Sequence, residues 1–231
     1  KTKIRSVDRT RKVTKAMELV AGSKMRRASQ SALTSRTYAL AAWELLTNLS
    51  RMTDPNMHPL LRQNQSGRRA VIVMTSDKGL VGGLNAHLLR TTLSALDGVD
   101  RSTIDVIAVG KKGEAALRRL GFSLFATFPA LSSTPTLEKI RPLAKLTIAE
   151  YEQGHYDSIE VIYSDFISVL SQRPKRRTVL PLTQKDIRGF IEEATKATDA
   201  ELNQEAGEYL FEPSADAVLE SVLRGLVEMQ L

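Results

Sequence analysis

The 231-residue sequence contains no cysteine. Disulfides and thiolate metal sites are thereby excluded, and a reducing or redox-indifferent compartment is the simplest expectation. Histidine occurs only at His58, His87 and His155, too far apart for a paired-histidine metal motif, so no metal or cofactor is expected. No run of about 18 apolar residues could cross a bilayer, and a soluble chain without lipid insertion is expected. From Ile4 to Arg51 there is no proline and a single glycine, Gly22. Without helix breakers, that stretch predicts one continuous helix, several times the usual length of about 11 or 12 residues. Such a helix outruns any small domain and must cover its apolar positions on another long helix or inside a partner.

What the sequence does contain is an uneven distribution of charge. Residues 1–30 carry ten basic side chains against Asp8 and Glu18, an excess of +8. The net charge is +7, so the other 201 residues sum to −1. A basic element is attached to a near-neutral body, which implies an acidic partner for that element. Steps of three and four from Ile4 through Val7, Ala21, Met25, Ala28, Ala32, Ala39 and Ala42 to Leu46 and Leu49 trace an alanine-rich seam that allows close helix approach. Arg11, Thr14 and Glu18 interrupt it, while Val13, Met17 and Val20 form a stripe on a neighbouring face. The two halves of the helix are expected to serve different purposes. Trp43, the one tryptophan, reads as a packing residue on this helix.

Beyond Asp54-Pro55 the period shortens. Apolar runs at 68–75, 104–109, 122–128, 159–166 and 179–182 predict strands. Helical patterns over 85–96, 114–120 and 137–153 fall between them. The alternation predicts an α/β fold with a mostly parallel sheet covered on both faces, and Pro181 argues for an edge position of the last strand. Polar, acid-rich residues 183–208 predict a mobile or loosely docked loop, and Ser214–Leu231 restores helical periodicity. The expected organisation is therefore residues 1–53 as a long helix, 68–182 as the α/β domain, 183–208 as a loop and 209–231 as the start of a C-terminal helix. Because position 1 is lysine and the last helical pattern runs to the final residue, the sequence reads as a fragment of a longer chain.

The glycine-rich turn Ser76–Asn85 (SDKGLVGGLN) sits between a strand and a helix, where backbone amides can cradle phosphate. Its glycines at 79, 82 and 83 do not fit G-x-G-x-x-G, and no Lys-Ser/Thr pair closes the loop. A structural or partner-contacting turn is the stronger reading. Nucleic-acid binding by the basic helix is argued against by interleaved Met17, Leu19, Val20 and Met25 and by the lack of an aromatic platform. Glu192 and Glu193 have no apolar pocket to split their pKa values and read as solvated. Lys111-Lys112 after Gly110 reads as an ordinary βα turn.

Three stretches together resemble the ATP synthase gamma subunits. They are Ile4–Val7 leading into Thr10–Met17 and Val20–Ala28; Ser76–Asn85; and Tyr209-Leu-Phe-Glu-Pro-Ser214. The resemblance implies a rotor without a catalytic site of its own, in which N- and C-terminal helices form an antiparallel coiled coil beside a Rossmann-like domain. It implies alpha and beta subunits of a catalytic ring, an epsilon subunit and a membrane ring of c subunits as partners. The location it implies is peripheral, on the cytoplasmic face of a bacterial plasma membrane or, alternatively, the matrix side of the mitochondrial inner membrane. It further implies that Arg9, Lys12, Lys15, Lys24, Arg26 and Arg27 face acidic levers on the beta subunits. Val13, Met17, Val20 and Met25 would supply the apolar bearing, and Asp77, Lys78 and Val81 would lie near the same levers. Tyr209, Phe211 and Glu212 would lie near the base, at the c-ring or epsilon. Gly22 stands where the family usually has alanine, Val81 where it often has cysteine, and the paired cysteines of light-regulated members are absent.

Overall fold

A computed structural model describes residues 1–52, 58–129, 131, 136–168, 171–195, 212 and 214–231. Among the described residues six α-helices and five strands are arranged as α1 (Thr2–Met52), β1 (Arg69–Met74), α2 (Leu84–Ala95), β2 (Ile104–Val109), α3 (Lys111–Arg119), β3 (Leu124–Phe128), α4 (Leu137–Glu152), β4 (Ser158–Ser168), β5 (Ser171–Leu180), α5 (Gln184–Thr195) and α6 (Ala215–Gln230). The 51 residues of α1 extend about 77 Å at 1.5 Å per residue.

The strands form one sheet in the order β3-β2-β1-β4-β5. The first four are parallel, and β5 returns antiparallel along β4 at the edge. Alternation along each strand sorts side chains between two faces. Ala70 and Ile72 of β1, Ile107 and Val109 of β2, and Ile159 and Val161 of β4 join Leu143, Ile148 and Tyr151 of α4 and Leu219, Leu223, Leu226 and Val227 of α6. Val71 and Val73, Val106 and Ala108, and Ile162 turn the other way onto Leu88 of α2 and Leu117 of α3. The sheet is covered on both sides, as continuous apolar strands require.

Only the far part of α1 enters this core: Ala42 is buried and Leu45 packs beside it. The helix also packs against α5 and α6. The side chains of residues 29–40, 43, 44 and 46–52 lie outside the described residues, and with them the expectation for Trp43 and most of the alanine seam.

Two expectations change. The last strand is not a short piece at 179–182 but a ten-residue strand, Ser171–Leu180. It reads poorly as a strand because Pro174 and four cations interrupt it, yet an edge tolerates both. Pro174 pairs with Ser164 on the outer ladder, and Pro181 follows the strand through a cis bond. In the acidic stretch expected to be a loop, Gln184–Thr195 instead forms α5. Thr183 opens it by accepting the Asp186 N–H at 3.1 Å, Ile187 packs into the core, and Arg188 pairs with Glu192 at 2.8 Å. The remainder of that stretch, 196–208, lies outside the described residues.

Candidate functional site

Two surfaces carry the candidate residues. The first is the arm formed by residues 1–28 of α1, where every position except Asp8 and Ser23 is exposed. Successive residues turn by about 100°, so the spacing 4-4-3-4-3 brings Arg9, Val13, Met17, Val20, Lys24 and Arg27 onto one stripe about 80° wide. Along it three apolar groups are flanked by cations at both ends. Val13, Met17 and Val20 are 60%, 53% and 58% exposed, a large apolar area for a helix to leave uncovered. Met25, at 38%, lies with Ile4 and Val7 on the seam side instead.

Not all of the arm's charge is available to a partner. Asp8 takes both Arg11 (3.3 Å) and Lys12 (2.9 Å), and Lys15 pairs with Glu18 at 3.0 Å. Arg9, Lys24, Arg26 and Arg27 have no ion-pair partner among the described residues.

The second surface is the 76–85 turn at the C-terminal end of β1. The Ser76 N–H donates to Asn85 Oδ1 (3.2 Å), Asn85 Nδ2 donates to Ser76 Oγ (2.7 Å), and that hydroxyl donates to the Lys78 carbonyl (2.7 Å). Asn85 thus closes the turn from the first residues of α2. Leu80 and Gly82 take positive φ, 61° and 59°. For glycine this is free, but for leucine it is strained. Leu80 is also 94% exposed, so the strain is spent on holding an apolar side chain in solvent at the crest of the turn. Asp77 and Val81 are half-buried, and Lys78 is exposed. Leu80 is the residue that sequence reasoning passed over, although a leucine between two turn glycines was the signal for it.

The turn is locked onto the start of α3. Lys111 N–H donates to Asp77 Oδ1 (3.1 Å), Lys112 N–H to the Ser76 carbonyl (3.1 Å), and Gly113 N–H to Thr75 Oγ1 (2.7 Å). The first amides of α3 are therefore already occupied, and the Asp77 carboxylate stands among them. The geometry is that of a display turn held rigidly against the start of α3. Among the described residues no cluster of three or more His, Asp or Glu could hold a metal ion.

A crevice of about 380 Å³ opens beside the turn, where the C-terminal ends of β1 and β4 diverge. Met74, Leu84, Val109, Leu131 and Ile140 line it with Ser76, Asn85 and Ser164, and among the described residues no charged side chain lines it. Of the three residues expected near the base, Glu212 is exposed, while Tyr209 and Phe211 lie outside the described residues.

The sequence matches the family described as ATP synthase over residues 1–231. It is 30% identical to the ATP synthase gamma chain of Legionella pneumophila, over 100% of this chain and 77% of the relative. With the ATP synthase gamma chain of Leptothrix cholodnii it shares 34% identity, over 96% of this chain and 74% of that one. The chain belongs to the ATP synthase gamma family. The fold is similar to a chain in the central stalk and c-ring structure of the Tetrahymena thermophila mitochondrial ATP synthase, with a TM-score of 0.63 at 21% identity, covering 94% of this chain and 88% of that one. Among the described residues no helix of this gamma chain is long and apolar enough to cross a membrane.

Proposed function

We propose that this gamma chain is the central-stalk rotor of an F-type ATP synthase, carrying rotation of a membrane ring of c subunits to a catalytic ring of alpha and beta subunits. It has no catalytic site of its own. The observation that carries this reading is the uncovered arm: residues 2–28 of α1 stand outside the domain with a stripe in which Val13, Met17 and Val20 are flanked by Arg9 on one side and Lys24 and Arg27 on the other. A shaft can change the state of a surrounding site only by touching its open and closed forms differently. The stripe is one-sided, so each angular position offers a different contact to each surrounding protein.

On this reading Arg9, Lys24, Arg26 and Arg27 meet acidic surfaces of the beta subunits, with Lys12 and Lys15 contributing less because Asp8 and Glu18 already hold them. Val13, Met17, Val20 and Met25 slide against apolar surface. The turn carrying Asp77, Lys78 and Val81 meets the same subunits, with Leu80 at its crest. Tyr209, Phe211 and Glu212 belong to the base, against the epsilon subunit and the c ring. The chain is held at the membrane through these partners, on the cytoplasmic face of a bacterial plasma membrane or the matrix side of a mitochondrial one.

The test is co-purification of the full-length chain with alpha and beta subunits of the same source, followed by assay of ATP hydrolysis. One copy per three of each partner, with hydrolysis dependent on it, is the expected result. Well-folded alpha and beta subunits that assemble and turn over equally without the chain would reject the reading.

A further inference from the structure

Lys111 and Lys112 open α3 directly after Gly110, the residue that caps it. In sequence they read as part of an ordinary βα turn, but they oppose the helix they begin. A helix N-terminus carries the positive pole of the helix dipole, so acids are stabilising there and cations at the first two positions are not. Glu114, the acid of that first turn, is drawn to Arg118 at 3.3 Å. Both lysine side chains are exposed, so packing does not select them either.

The two lysines adjoin the 76–85 turn. The N–H groups of Lys111 and Lys112 donate to Asp77 Oδ1 and to the Ser76 carbonyl, each at 3.1 Å, and draw the start of α3 against that turn. The Lys112 side chain lies along Gly79, where a Cβ would stand 3.8 Å from Lys112 Cε. Gly79 is itself flanked by Lys78 and Leu80. Three exposed lysines from two separate segments thus gather round one leucine, with Asp77 as the acid among them, leaving a formal excess of two positive charges. None of the three ammonium groups has an ion-pair partner among the described residues.

Exposed lysines are ordinary on a protein surface. Solvation explains them singly but not the centre of the group. Leu80 is 94% exposed and holds a positive φ of 61°, a conformation that glycine would take without strain. An apolar centre inside a charged rim is the anatomy of a protein–protein contact. Because the turn is already held rigidly, it loses little conformational freedom on docking. The partner that fits offers an apolar recess to Leu80 and carboxylates around it, and those carboxylates would also offset the adverse placement of the two lysines on the α3 dipole.

We propose that the first turn of α3 and the 76–85 turn form a single docking surface, in which Leu80 enters an apolar recess of the catalytic ring and Lys78, Lys111 and Lys112 meet carboxylates at its rim. This rests on the rotor reading. It adds α3 to the contact and gives the strained leucine its role as the anchor.

The experiment uses the assembled soluble enzyme with the full-length chain. A carbodiimide joins a lysine amine to a carboxylate in contact with it, and in a second preparation p-benzoylphenylalanine at position 80 captures whatever covers that residue. The expected outcome is Lys111 or Lys112 joined to an Asp or Glu of an alpha or beta subunit, and capture of the same stretch of that subunit from position 80. Lys111→Gln together with Lys112→Gln should lower the yield from position 80 about fivefold, equivalent to about 1 kcal/mol. The yield from p-benzoylphenylalanine at position 17, on the arm, should stay unchanged. A failure of position 80 to capture a ring subunit overturns the proposal, and so does either lysine joining only a base protein or this chain's own acids, or joining nothing. In each of these cases the rotor reading stands, whereas a chain that does not assemble with alpha and beta subunits overturns both.

Discussion

Gly113 donates its N–H to Thr75 Oγ1 at 2.7 Å, and a Cβ at position 113 would lie 2.6 Å from that same oxygen. The contact that fixes the start of α3 to the end of β1 therefore exists only because residue 113 has no side chain. Gly110 is tighter still: its φ is 89°, and a Cβ there would lie 2.2 Å from the Thr75 carbonyl oxygen. Together these two glycines let the β1 and β2 ends approach closely enough to pin the turn between residues 76 and 85.

Gly110→Ala should accordingly destabilise the domain by about 3 kcal/mol, from backbone strain plus steric overlap. For a chain of this size that lowers Tm by about 6–12 °C. Gly113→Ala should cost about 1–3 kcal/mol. Because its clash is with the Thr75 side chain rather than with backbone, Thr75→Ala should partly relieve it. Thermal unfolding of the two single variants and the double variant checks this, and a coupling near zero would show that the two residues are not in contact in solution.

Glu160 is almost fully buried on β4 and receives a bidentate pair from Arg176 of β5, at 2.6 and 2.7 Å. The carboxylate raises the Arg176 pKa further above its ordinary value. Removing one partner from a fully buried pair costs about 3–5 kcal/mol. The Arg176 side chain is 42% exposed, however, so water screens it, and Arg176→Met should cost nearer 2 kcal/mol. Joint replacement by Glu160→Leu and Arg176→Met leaves no buried charge alone and should cost less than the single change. Urea unfolding of the three variants decides the order.

How much of this was legible follows the physics of each signal. The strands at 69–74 and 104–109 are buried on both faces, so their apolar runs are continuous and unmistakable. Strand β5 was legible only at its buried end, Val179 and Leu180. Its outer part lies on the edge, and its cationic sequence is set by solvent and by Glu160 rather than by strand propensity. Helix α5 hid because its stability comes from tertiary packing through residues such as Ile187, which propensity does not register. The basic arm was visible from composition, but not the division between Lys12 and Lys15, which are held by neighbouring acids, and Arg9, Lys24 and Arg27. Leu80 was visible as a letter in a turn; that it takes positive φ and stands in solvent required coordinates.

His58 sits where the chain returns from α1, with its Nδ1 accepting the Leu60 N–H at 3.2 Å. Burial lowers its pKa below 6.5; nearby Glu220 and Glu152 raise it, and Arg224 lowers it further. A base whose folded pKa lies below its unfolded value binds fewer protons when folded. Its contribution to stability is complete above the unfolded value of 6.5 and is lost as pH falls through the folded pKa. Wild-type protein should therefore lose more Tm between pH 7.5 and 5 than His58→Gln, which offers an amide oxygen to Leu60 without titrating. Equal losses in the two proteins would reject the assignment.

Charge on the arm should matter by position rather than by number. Arg9, Lys24 and Arg27 share the stripe with Val13, Met17 and Val20, whereas Lys12 and Lys15 are held by Asp8 and Glu18 at 2.9 and 3.0 Å. Each exposed contact is worth about 0–1 kcal/mol, so a single neutralisation should be almost silent in the assembled enzyme. Triple replacement of Arg9, Lys24 and Arg27 by Gln should weaken ATP-driven pumping or assembly several-fold, equivalent to about 1–3 kcal/mol in total. Lys12→Gln with Lys15→Gln should do less, since the ring would lose charge already partly neutralised within the helix. The difference should shrink as salt rises toward 1 M, where the screening length falls to about 3 Å. Hydrolysis, pumping yield and assembly that stay unchanged in the triple variant would remove the electrostatic part of the rotor contact and leave only its apolar stripe.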